Sequence, residues 1–179
     1  MIKLNFYLVL YFSTHFVFGF ALNSIGPIIP YLAELSHRHV SEYSFLFLLR
    51  GISFIVSGIL HKTVLSKLDL HLKMLLSCFL TGLAYILFSL TLNILHQGLL
   101  MVFISLGSGS IEILIQICLL KIGGKNMRRV TTLSYGAFSL GMLSAPFLVI
   151  LLVLKSFFWI GLFLILCSVL YWLKETPNL

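Results

Sequence analysis

Six apolar runs, each near the ~20 residues needed to cross ~30 Å of hydrocarbon, constrain this chain more than any other feature. They cover residues 4–32, 43–60, 73–92, 97–120, 131–154 and 156–173. The sequence is 60% hydrophobic and only 9% charged, against about 25% charged residues in soluble domains. No water-soluble core of 179 residues hides that much apolar surface, so the surrounding solvent is lipid. The expectation is an all-α membrane protein of six transmembrane helices, with residues 1–179 forming one bundle. The first run is too long for the ~7–15-residue apolar region of a signal peptide, and it reads as a retained span broken late by Gly26, Pro27 and Pro30. Polar connections of about ten residues follow the first, second and fourth spans. Asn93 to His96 is expected to be a tight turn, and Lys155 alone marks the fifth junction.

Basic residues set the orientation. Lys3, Lys62, Lys67, Lys73, Lys121, Lys125, Arg128, Arg129 and Lys174 fall on one side, nine in all, against Arg38 and Lys155 on the other. The positive-inside rule then places both termini in the cytoplasm, as an even span number requires. The expected location is an integral, multi-pass position in the plasma membrane rather than an organelle. The net charge of +7 follows from this topology and gives no reason to expect nucleic acid as a partner.

Enzyme chemistry has no visible apparatus. Cys78, Cys118 and Cys167 lie inside apolar runs, follow no metal-ligand spacing and read as small packing residues. His37 and His39 flank a loop arginine, His61 and His71 bracket a connection, and His96 sits in a turn, so no metal or cofactor is expected. His15, within the first span, reads as a packed, hydrogen-bonded histidine, with a cavity-lining role as the alternative. Gly123-Gly124-Lys125 lacks the first glycine and the following hydroxyl of a phosphate-binding loop.

Glu112 is the most informative single residue. It sits mid-way along the fourth span, where a charge costs about 2.5–3.5 kcal/mol on insertion scales and marks a functional site by default. Gly107 and Gly109 thin the helix just before it, and Gln116 lies one turn beyond on the same face. The structural alternative is a protonated carboxyl hydrogen-bonded to a neighbouring helix. Arg50 lies within the second span. It is about seven residues from its outer end, and Glu112 about fifteen from its own, a depth difference of roughly 12 Å that argues against an ion pair.

Three stretches resemble the N-terminal six-helix half of major facilitator superfamily transporters, and among them the fucose permease and sodium-dependent glucose transporter branch. Gly26-Pro27-Ile-Ile-Pro30-Tyr-Leu-Ala resembles the family's Gly-Pro-x-x-Pro-x-Leu-Ala string. Phe47-Leu-Leu-Arg50-Gly51 with the later Gly58 resembles the branch's Arg-Gly helix. Gly107-x-Gly109-x-x-Glu112-x-x-x-Gln116 resembles a Gly-x-Gly-x-x-Glu/Asp-x-x-x-Asn signature, followed by Ser134-Tyr-Gly136-Ala-Phe-Ser-Leu-Gly141 and Pro146. Departures are plain: Gln116 replaces Asn, Ser134 stands where relatives often carry His, the first-span carboxylate position holds Gly26 or a neighbour, and the loop after Gly58 lacks the family's Asp-Arg pattern.

The resemblance implies a three-plus-three inverted repeat and transport of a sugar or other small polar solute, coupled to H+ or Na+, between two six-helix halves. Glu112, Gln116 and Asn23 would bind solute, while Arg50, Gly26, Pro27, Gly107, Gly109, Gly136, Gly141 and Pro146 would serve packing and gating. One half needs a second, from another copy or from a missing C-terminal half. The alternative is a non-transporting remnant or membrane scaffold that pairs with another half.

Overall fold

The computed structural model describes residues 6–63 and 67–173. Leu4 and Asn5 of the first expected span lie outside the described residues, as do the basic Lys3 and Lys174. The described residues form an all-helical fold. Its long helices are α1 (Phe6–Leu35), α2 (Ser44–Thr63), α3 (Leu70–Leu90), α4 (Ile94–Gly123), α5 (Met127–Leu152) and α6 (Leu154–Leu173), with 3-10 turns at Val40–Tyr43 and Gly124–Asn126. Among the described residues, five stretches are long and apolar enough to cross a membrane: Phe6–Leu35, Val40–Thr63, Leu70–Leu90, Ile94–Leu152 and Leu154–Leu173.

The fourth of these differs from the expected pattern. Sequence polarity suggests about ten connecting residues after Leu120, but α4 continues to Gly123 and only the turn Gly124–Asn126 separates it from α5. Gly124 takes φ +45 there, a backbone state open to glycine without strain. The other junctions also differ. Val153, not Lys155, ends α5, adopting φ 47 while its N–H bonds the Val149 carbonyl at 2.7 Å. Lys155 belongs to the first turn of α6. Between α3 and α4, Asn93 is a helix cap, its side-chain oxygen accepting from the Leu95 N–H at 3.0 Å and the His96 N–H at 3.3 Å.

Helix α1 does not break at its prolines. It runs through Pro27 and Pro30 to Leu35. Proline has no N–H, so the carbonyls four residues earlier, those of Asn23 and Gly26, lose their usual helical donor. Helix α5 likewise runs through Pro146, which removes the donor for Met142.

Packing rests on small residues, as expected where lipid removes the hydrophobic drive between helices. The broadest contacts pair α1 with α5, α3 with α6, α3 with α4, and α2 with α4. A Cβ at Gly19 would fall on the Phe138 carbonyl of α5, and one at Gly141 on the Phe16 carbonyl of α1. Gly107 lies against Thr81, and Gly109 against Ser57 and the Phe54 backbone. Gly26 and Gly136 have nothing within 4 Å of the Cβ position, so neither mediates close helix approach.

Among the described residues, two apolar clusters form the interior. One gathers Ile25, Leu32, Tyr43, Tyr85, Phe88, Met101 and Phe157. The other gathers Tyr7, Tyr11, Met74, Ile111, Ile115, Cys118, Cys167 and Tyr171. His15 and Ser134, both fully buried, belong to neither.

Candidate functional site

The Gly107–Gly109 segment lets α4 press against α3 and α2, which leaves its next turn to face α1 and α5. Glu112 occupies that turn. Its Oε2 lies 3.0 Å from His15 Nε2 on α1, and its Oε1 accepts from Gln116 Nε2 at 3.3 Å. His15 Nδ1 in turn lies 2.6 Å from Ser134 Oγ on α5. The Tyr135 phenol, next along α5, also interacts with the Glu112 carboxylate. Four polar side chains from α4 and α5 thus meet around an imidazole carried by α1.

Aromatic rings fix that imidazole. Phe138 lies 5.0 Å from it between centroids, Tyr135 5.4 Å and Phe18 6.2 Å. His15 is 0% exposed, whereas the Glu112 side chain keeps 23% of its surface open. The carboxylate is therefore the end of the network that water or a ligand reaches, and the histidine is its buried end.

The geometry accommodates two proton counts. With neutral His15 protonated at Nε2, that N–H donates to the Glu112 carboxylate and Nδ1 accepts from the Ser134 hydroxyl. One added proton on the imidazole makes both nitrogens donors, and Ser134 becomes an acceptor. Held instead on Glu112, the same proton would be donated to Nε2. No partner has to be lost in any of these states, so the cluster can gain or release a proton without stranding a buried polar group.

Of the residues expected to bind solute, Gln116 joins Glu112, but Asn23 does not. Asn23 lies eight residues beyond His15 along α1, about 12 Å of helix rise. Its Nδ2 donates to the Met142 carbonyl at 2.9 Å, the same carbonyl whose helical donor Pro146 removes. Arg50 is also separate, lining a groove with Leu22, Phe47, Gly51 and Phe54. Gly107, Gly109 and Gly141 stand at helix contacts, Gly26 and Gly136 face open space, and Pro27 and Pro146 lie inside helices.

Sequence reading did not assign His15, Ser134 or Tyr135 to the site. The signal for His15 was depth. It lies nine residues from the start of α1 (6 to 15), and Glu112 lies eleven from the end of α4 (112 to 123). These are about 14 and 17 Å from the same end of the bundle. Among the described residues no group of His, Cys, Asp and Glu could hold a metal ion. No family model matches this chain, and neither a curated protein nor a solved structure aligns with it significantly.

Proposed function

We propose that this chain is a six-span half of a transporter of the major facilitator type, with Glu112 and His15 as its proton-responsive solute site. The observation that carries the proposal is the 3.0 Å contact between His15 Nε2 and Glu112 Oε2 at mid-span, with the carboxylate side left partly open. A purely structural polar contact gains nothing from an open side. A site that exchanges protons and meets a hydroxylated solute needs one.

Helix pairing supports the three-plus-three repeat. Raising each helix number by three, cyclically, carries the α1–α5 contact onto α4–α2 and returns α3–α6 to itself. The glycine contacts follow the same exchange. Gly19 meets the Phe138 carbonyl, Gly109 meets the Phe54 backbone, and three residues further along each partner helix Gly141 and Ser57 complete the contact.

The Ile94–Leu152 stretch is 59 residues long, roughly 90 Å if straight, and so reads as two crossings that turn back at Gly124–Asn126. With that reversal, Lys62, Lys67, Lys73, Lys121, Lys125, Arg128 and Arg129 gather at one end and Arg38 and Lys155 at the other. This favours a cytoplasmic location for the basic end and for both termini.

In this reading α1, α2, α4 and α5 wall half of a cleft, and a second six-helix unit walls the other half. Solute hydroxyls would bond Glu112 and Gln116, and protonation of the Glu112–His15 pair would change what the carboxylate can accept. The test is uptake of labelled L-fucose and D-glucose into liposomes across a pH gradient. Gradient-driven uptake by crosslinkable dimers or by a reunited pair of halves, lost in Glu112→Gln, is the expected result. Gradient-insensitive uptake, or none in any assembly, would refute the transporter reading and leave a membrane scaffold.

A further inference from the structure

Phe47, Arg50, Gly51 and Phe54 fall at i, i+3, i+4 and i+7 of α2, which places them on one face of the helix. With Leu22 of α1 they line a groove of about 390 Å3, within the range of small-molecule sites. Four of those five residues are apolar. The Arg50 guanidinium offers five N–H donors and no acceptor. Among the described residues it has neither a hydrogen bond nor a carboxylate partner.

Glu112 cannot neutralise it. Helices α2 and α4 run parallel, since Gly98 abuts Phe45 and Gly109 abuts Ser57. Arg50 lies seven residues before Ser57 and Glu112 three after Gly109, which separates their levels by about 15 Å. The Glu112 oxygens are moreover already engaged by His15 and Gln116. The groove therefore carries an unmatched positive charge within apolar walls. A guanidinium fork matches a carboxylate in bidentate geometry. Phe47 and Phe54 expose their rings on either side of it, and Gly51 leaves open space beside it.

We propose that this groove is a subsite for the carboxylate of a small organic anion with an apolar body. The inference rests on the reading of this helix face as solute-facing, and it adds to that reading a second subsite, for organic anions, about 15 Å in level from Glu112.

The test titrates purified protein, in nanodiscs of zwitterionic phosphatidylcholine, with benzoate and with its neutral counterpart benzamide by calorimetry. Benzoate should bind saturably, and benzamide about tenfold more weakly or worse. Arg50→Gln should lose about tenfold or more of the benzoate affinity, and Arg50→Lys, which keeps the charge without the fork, should fall between. Circular dichroism checks the fold of each variant, and the benzoate–benzamide contrast needs no variant. Equal binding of the two ligands, or undiminished binding by folded Arg50→Gln, overturns the proposal. So does native mass spectrometry that finds a phospholipid held by Arg50 and no benzoate binding. Benzoate binding without proton-driven uptake of any solute would sustain the subsite and sink the transporter reading. Sugar uptake abolished by Glu112→Gln, with no benzoate binding, would do the reverse.

Discussion

Asn23 on α1 supplies the hydrogen bond that Pro146 takes away from Met142 on α5. Its Nδ2 lies 2.9 Å from the Met142 carbonyl, which in an unbroken helix would accept from residue 146. Prolines are tolerated in membrane helices when a neighbour re-satisfies the freed backbone group. Asn23→Leu should destabilise the bundle by about 1–3 kcal/mol, the cost of leaving a part-buried acceptor unsatisfied. Pro146→Ala restores the donor, so Asn23→Leu should cost much less in that background. Thermal release of the buried thiols Cys78, Cys118 and Cys167 to a reactive dye in micelles measures both effects. Equal losses in the two backgrounds would mean that the asparagine acts otherwise.

Gly82 and Gly161 should tolerate no side chain. A Cβ at Gly82 would sit 2.7 Å from the Gly161 carbonyl oxygen, and one at Gly161 would meet the Gly82 carbonyl. Ala at either position forces α3 and α6 apart, for an expected loss of about 1–3 kcal/mol. Gly26→Ala and Gly136→Ala meet open space and should not lose stability through steric clash. The same thiol-release assay should therefore rank the four glycines in two groups.

His15 and Glu112 should be energetically coupled. In a cycle of His15→Phe, Glu112→Gln and the double variant, the interaction energy should fall at about 0.5–3 kcal/mol, as for residues in one hydrogen-bond network. Ser134→Ala removes the other partner of the imidazole and should weaken that coupling. Additive losses across the cycle would show that the 3.0 Å contact contributes nothing.

Both termini should report a cytoplasmic location. Fluorescent or phosphatase tags fused before Met1 and after Leu179 test this in intact cells. Opposite locations for the two tags would mean an odd number of crossings and would remove the three-plus-three arrangement.

The helices were legible because lipid-facing and core-facing positions alike are apolar, so composition alone marks membrane-length segments. Their ends were less so. Asn93 reads as part of a turn until its side chain is seen to cap α4, and no local residue signals that Val153 rather than Lys155 ends α5. In the site, Glu112 and Gln116 announced themselves as polar residues one turn apart. His15 did not, because its partners Glu112 and Ser134 come from other helices, 97 and 119 positions away. Asn23 hides a contact for the same reason. A polar residue in an apolar helix looks like a ligand-binding group, and its bond to a backbone carbonyl of a neighbouring helix, 119 positions away, leaves no mark in the sequence.

The two prolines of α1 leave a further mark on the molecule. Pro27 and Pro30 deprive the Asn23 and Gly26 carbonyls of their helical donors, and Gly26 is exposed with nothing within 4 Å of its Cβ position. The C-terminal half of α1 thus holds two main-chain oxygens without their usual helical donors, as acceptors for a hydroxyl that reaches them. Recognition of that kind is written in the backbone, so side-chain changes at positions other than the two prolines would pass over it. Only restoring the missing amides, by replacing Pro27 or Pro30 with a residue that carries an N–H, would erase it.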